Sequence, residues 1–425
     1  MVTFGELRGA KPGAWSSAAD DFLAAAKQCE RIKDDIHDNG VRPLDAHWTG
    51  IAYGRARDVL TQVADRAEVV SIFARSAVDP LDTLNHAVET AQRELENAIV
   101  MARNAGLDVD DVTGQVSIPP GTPTSEINEM TRVGQTAARL IDDAVEAATQ
   151  ADDACSSALG ATINADTPGA TKDVAQSVQA DNTKKALTEL RDTIPDGLPP
   201  EAVAQWWNGL TQKEQSDLER ACPTELSDLP GIPDSVKTAI DRPDLGYSSV
   251  GAVRYARDNY HNDSLDWPGK DNCTNFASDA LAYGGRMPQK QNSYTLPRWD
   301  DDGWYDGTRG DPQDPLPRGL THTRSWGGAQ ANHDFFLHHG GTAVSADQAR
   351  PGDLAYFTAT QETGGLHPGE THHAAIVTGV LPDGQILYTQ HSEGALNYPL
   401  SGRLPAIDQE LGQQQIEIVR PKVTW

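Results

Sequence analysis

The chain is poor in the features that most often declare a function. Its four cysteines, Cys29, Cys155, Cys222 and Cys273, are far apart and form no Cys-x-x-Cys pair. That spacing argues against both a zinc ribbon and a disulfide-stapled scaffold. No apolar run approaches 18 residues, so no segment is expected to span a bilayer. The opening residues, MVTFGELRGAKPGAW, lack a basic stretch followed by an apolar one, so a Sec-type signal peptide is not expected. Positive charge is scarce: 35 Lys and Arg against 62 Asp and Glu leave a formal net charge of −27. That sign opposes attraction to nucleic acid or to an anionic membrane. Aromatics make up only 6% of the residues, within a hydrophobic share of 38% that still suffices for ordered cores. At 425 residues the chain exceeds one ordinary domain. Typical domains of roughly 150 residues suggest two or three.

What is present is unevenly spread. Residues 247–425 hold five of nine Trp, nine of ten Tyr, four of seven Phe and nine of twelve His. The remainder is rich in Ala, Asp and Gln. The expected division is a helical module at 1–194, a Pro-rich helical connector at 195–246 and a third region at 247–425.

The first region carries strong helical periodicity. Trp15, Ala18, Phe22, Ala25, Cys29, Ile32 and Ile36 form one series, and a second runs from Leu60 to Ala102. A third runs from Ile127 to Ala158. Each places an apolar seam along a helix, so these helices must pack on each other or on a partner. Asp79-Pro80 predicts a kink or short break in the second series. Thr122-Pro123 predicts an N-cap and first helical residue for the third, and a further helix is predicted over 173–191. Trp48-Thr49-Gly50, between the first two helices, resembles the Trp-x-Gly turn of WXG-type hairpins exported by type VII secretion systems. No Tyr-x-x-x-Asp or Tyr-x-x-x-Glu export tail accompanies it. In the connector, Trp206-Trp207 followed by Leu210-Thr211 and Glu214 predicts a short helical pair folded on its tryptophans. It looks like the spacers of WXG-type proteins with C-terminal hydrolase domains.

The chemistry is concentrated in the last region. Asp271-Asn272-Cys273-Thr274-Asn275-Phe276-Ala277-Ser278 leads into a helix stopped by Gly284-Gly285, which puts Cys273 at the helix start. Unpaired amides there favour thiolate over thiol and can donate to a developing oxyanion. A thiolate nucleophile also needs a base held by a third group. Thr371-His372-His373, then Leu381-Pro382-Asp383-Gly384 and Gln385 to Ser392, predict a β-hairpin with that base on one strand and its partner on the other. A three-residue Pro-Asp-Gly turn sets Ala375 opposite His391 and selects His391; a two-residue turn would select Gln390. His372 and His373 are expected to face opposite ways, and no metal site is expected. Trp299, Trp304 and Tyr305 in the 293–318 stretch are candidates for exposed substrate contacts or for a covering loop. Pro351-Gly352-Asp353-Leu354 and Ser325-Trp326 read as scaffolding, with Asp353 bonding turn amides.

Taken in order, Cys273-Thr274-Asn275-Phe276-Ala277-Ser278, Gly284-Gly285, Ser325-Trp326, Pro351-Gly352-Asp353-Leu354, His373 to Gly379 and Gln390-His391-Ser392 resemble the putative amidase domain family. That family groups with the CHAP and NlpC-like cysteine amidases and peptidases. The resemblance implies an α+β papain-like domain with an antiparallel sheet, following the all-α hairpin or bundle. It implies a cofactor-free hydrolase with Cys273 as nucleophile, His373 as base and acid, His391 as orienting residue, and Asn272 and Gln390 in oxyanion or supporting roles. Asn272 stands where the family usually has Asp. The implied substrate is a peptidoglycan peptide or another peptide. A helical secretion partner and an immunity protein are the other implied partners. Export without Sec, to a secreted or cell-wall location after a cytoplasmic stage, completes the expectation. Two rivals use the same domain: a protein-deamidating toxin, and an inactive secreted adaptor.

Overall fold

The computed structural model describes residues 2–262, 272–291, 299–300, 302–307, 321–360, 362, 365–391, 395–400 and 414–425. Asp271, Ser392 and most of 293–318 lie outside the described residues. The chain divides into two compact units, Met1–Thr193 and Ile194–Trp425.

The first unit is helical. A Thr3–Glu6 capping box starts α1 (Phe4–Gly9), and α2 (Gly13–Ile36) passes through a π turn, His37–Val41, into α3 (Arg42–His47). After Trp48-Thr49-Gly50 come α4 (Ile51–Ser76) and α5 (Val78–Asn104). A ribbon of β1 (Asp108–Val109) and β2 (Val116–Ser117) leads to α6 (Thr124–Ala165) and α7 (Lys172–Asp192). The second periodic series is therefore two helices, parted at Ala77. Pro80 then falls in the first turn of α5, where no intrahelical acceptor awaits its missing N–H. The seams of α5 (Leu84, Val88, Leu95) and α6 (Ile141, Ala144, Ala148) are buried against each other in one core.

Two local expectations change. Thr122 bonds Pro119 O rather than capping, and Pro123 is the residue before the helix. The first series is not a buried seam. Only Ala19 and Ala26 of α2 are buried, while Ile32 and Cys29 line an open apolar groove with Val59, Val63 and Val70 of α4. In the Trp48-Thr49-Gly50 turn, Trp48 is 47% exposed and Gly50 has a φ of +104°, which suits glycine.

In the second unit, the 195–246 stretch is an integral part rather than a spacer. It forms α8 (Pro200–Gly209), α9 (Gln212–Ala221), α10 (Pro223–Asp228) and α11 (Asp234–Asp241). A Thr211–Glu214 capping box starts α9. Val203, Trp207, Leu218 and Leu226 form one core with Val250 of α12 (Ser249–Asn259). Next come α13 (Cys273–Asp279), continued by a π turn to Gly284, then α14 (Arg324–Gly327) and α15 (Ala329–His338).

The sheet comprises β3 (Thr342–Val344), β4 (Leu354–Ala359), β5 (Thr371–Val380), β6 (Ile386–Gln390), β7 (Ala395–Pro399) and β8 (Gln414–Arg420). Its order is β3-β8-β4-β5-β6-β7, antiparallel throughout. The α+β class with an antiparallel sheet is as expected. Both faces of the central strands are buried, which is why β4 and the middle of β5, Ala374 to Val377, are apolar without alternation. Tyr356, Ala374 and Ile376 pack with Phe276, Trp304 and Trp326; Phe357, Ala375, Val377 and Tyr388 build a second core.

Asp353, wholly buried before β4, accepts from the Arg350 amide (2.9 Å), as the turn predicts. It also accepts from Arg242 (3.0 Å) and from Arg420 (3.1 and 2.8 Å). This ion triad ties the α11 end to β4 and β8. A buried carboxylate is tolerated only when paired in this way.

Candidate active site

Cys273 is the first residue of α13 and is 5% exposed, with Asn272 as N-cap. Nothing in the Asn272 side chain caps the helix; its Oδ1 accepts from Asn275 Nδ2 (2.9 Å) instead. Cys273 Sγ lies 3.6 Å from Thr274 Oγ1, and His373 and the Ala374 amide are near enough to act on its ionisation. Burial pushes the thiol's pKa up, and the neighbouring His373 charge pulls it down. The hydrogen bonds from His373, Ala374 and Thr274 add to that pull, and the net shift is downward. The surroundings thus ease ionisation of this thiol relative to an ordinary cysteine.

His373 is delivered by a bulge. Phe357 pairs with His373 but Thr358 pairs with Thr371, so His372 is the extra residue on β5. Bulges re-aim side chains. His372 turns to Gln414 on β8, while His373 is buried with its ring edge-on to Phe357, centroids 5.1 Å apart. The expectation that the two histidines diverge holds.

A second bulge corrects the hairpin. Near the turn the register is the expected one: Val380 pairs with Ile386, Leu381 N–H donates to Gln385 O (2.9 Å), and Gly384 has φ +87°. Beyond it, Gly379 pairs with Leu387 but Val377 pairs with Tyr388, so β5 absorbs Thr378 as an additional residue. That one-residue slip continues to set Gln390, not His391, opposite Ala375. Side chains alternate with period two, so the slip exchanges the faces of Gln390 and His391. Gln390 Oε1 lies 2.7 Å from His373 Nε2. His391 goes to the helix side, where Nδ1 bonds Tyr260 O (2.9 Å) and the ring stacks on Phe276. The Thr378 hydroxyl bonds Thr389 (3.0 Å) and Asn397 (2.7 Å), which fixes the bulge. No turn signal announces it.

With Nε2 engaged by Gln390, Nδ1 is the nitrogen of His373 available to sulfur. His373 thereby stands between Gln390, bonded to its Nε2, and Cys273, whose thiol it influences, with Asn272 adjoining Cys273 in sequence. Trp304 and Tyr305, candidates for exposed contacts or for a covering loop, are core residues; Trp299, at 56% exposed, is not. No group of three or more metal-ligating side chains occurs among the described residues.

Residues 246–412 match the family model described as "Putative amidase domain". The match supports an amidase-type domain at the C-terminal end, a class that hydrolyses amide bonds. No curated protein and no solved structure matches the chain.

Proposed function

We propose that the second unit is a papain-like cysteine amidase or peptidase that cleaves peptide amide bonds. The observation that carries this reading is the buried His373, whose Nε2 is held by Gln390 at 2.7 Å and whose charge lowers the pKa of Cys273. Cys273 is the nucleophile, His373 the base and acid, and Gln390 the residue that orients the ring. His391, tied to Tyr260 and Phe276, braces the strand end. Attack of the thiolate on the carbonyl carbon forms a C–S bond and moves the C=O π pair onto oxygen. Collapse breaks the C–N bond, and the leaving amine takes its proton from the His373 imidazolium. Water then gives a proton to His373 as its hydroxide adds to the thioester. A second collapse releases the acid and restores the ion pair.

The resemblance to CHAP and NlpC-like enzymes supports a peptidoglycan peptide as substrate. The helical unit with its Trp-x-Gly turn and open α2–α4 groove supports type VII-like delivery with a helical partner, to a secreted or wall-associated location. The test is a digest of purified peptidoglycan with the full chain and with Cys273→Ala, read by mass spectrometry. Wild type should release peptide fragments, and the variant none while melting at the same temperature. A gain of about one dalton on a protein substrate without backbone cleavage would support deamidation instead, and equal products from both proteins would reject Cys273 as nucleophile.

A further inference from the structure

Trp326 has no part in the proton transfers, yet it is joined to the residue before the nucleophile. Its indole Nε1 donates to Asn275 Oδ1 (2.8 Å), and Asn275 Nδ2 donates to Asn272 Oδ1 (2.9 Å). All three side chains are buried. An indole N–H can only donate, so the Asn275 atom facing it must be oxygen. The amide nitrogen of Asn275 then faces Asn272, whose facing atom must in turn be oxygen. Side-chain amides are ordinarily ambiguous between O and N. Here one donor-only group decides both. The end of Asn272 turned away from Asn275 is therefore Nδ2. The indole is itself immobilised, packed on Trp304 (4.8 Å) and Tyr283 (6.0 Å). Its own carbonyl accepts from Ser278 of α13 (2.9 Å).

We propose that Trp326 and Asn275 are positioning residues that hold Asn272 Nδ2 as a donor to the oxyanion formed when Cys273 attacks. This rests on the reading of Cys273 as nucleophile. Aspartate at 272 would accept from Asn275 equally well but would turn a carboxylate oxygen outward. Asparagine supplies an N–H at that end, on the residue next to the nucleophile, and a donor there would stabilise charge that develops on oxygen.

The test uses the full chain, with soluble peptidoglycan fragments as substrate and iodoacetamide as a probe of the thiolate. Alkylation passes through no oxyanion, so it separates the two roles. Trp326→Phe keeps the ring but removes the donor. Asn275→Asp keeps size and accepts from the indole but cannot donate to Asn272, whose amide then turns its oxygen outward. Asn272→Asp removes the donor directly. Each should lower kcat roughly 10²-fold with KM unchanged, while Trp326→Phe keeps the wild-type pH profile of alkylation. Unchanged kcat in Asn272→Asp or Asn275→Asp overturns the proposal. So does a Trp326→Phe variant that loses alkylation and kcat together, since that marks a merely structural role. Wild type that neither hydrolyses nor alkylates at Cys273 removes the nucleophile reading itself, and this inference with it. Active wild type with equally active variants rejects this inference alone.

Discussion

Cys273 and Cys155 are both buried thiols, and their surroundings drive them apart. Cys155 is pushed up to about 11, by burial first and then by the charges of Glu189 and Asp152. Cys273 is held below its ordinary value because His373 and three hydrogen bonds outweigh burial. Thiolate is the alkylating species, so its fraction, and the rate, rise with pH through each thiol's pKa. Iodoacetamide followed by peptide mapping should label Cys273 at neutral pH and leave Cys155 unmodified until the solution is strongly alkaline. His373→Ala removes the main downward influence. It should shift the Cys273 profile to higher pH and slow labelling at pH 7 measurably. An unshifted profile would mean that the histidine does not control the thiol. At this scale Cys273 and His373 were legible, because helix-start and strand-start signals lie in adjacent residues. Gln390 was legible only as a supporting residue.

At the scale of elements, α7 shows how packing alters titration. Its buried face is partly polar: Asn182 donates to Ser76 O (2.8 Å), and Thr183 donates to Asp79 (2.8 Å). Near its end, burial and then the charge of Asp192 raise Glu189 from 4.5 to about 7. The folded state therefore keeps a proton that the unfolded chain gives up near pH 4.5. Stability from this group is complete below that pH and is lost as pH rises through about 7. Thermal melts of the full chain should show the helical transition falling by a few degrees between pH 4.5 and 8. Glu189→Gln should remove most of that fall and melt higher than wild type at pH 8. A fall of equal size in the variant would assign the dependence to other groups. The bulges at His372 and Thr378 belong to this scale too. Both are irregularities in pairing between strands, and periodicity within one strand contains no record of them.

For the whole molecule, the unit boundary decides which fragment folds. Residues 194–246 contribute Val203, Trp207, Leu218 and Leu226 to the core that contains Val250, and Arg242 to the buried Asp353. Removing them exposes that core and takes one cation from a wholly buried carboxylate. Fragment 194–425 should unfold cooperatively in denaturant and keep selective labelling of Cys273. Fragment 247–425 should lack a cooperative transition. Equal folding of both would show that the segment only decorates the domain. Within a shared fragment, Trp207→Ala should cost about 3–5 kcal/mol, measurable as a lowered denaturation midpoint.

Composition and spacing alone determined that the chain is helical first and α+β after, that its thiol begins a helix, and that an imidazole begins a strand. Those are local matters, written in apolar period, turn residues and helix stops. Tertiary structure decided which side chain backs the imidazole, because a hydroxyl-pinned bulge shifts one strand by a residue. It also decided that the tryptophan-bearing segment belongs to the second unit, and that Trp326 governs an amide beside the thiol. Each depends on which distant atoms meet, and donors, acceptors and buried surface carry no meaning until a partner is in place.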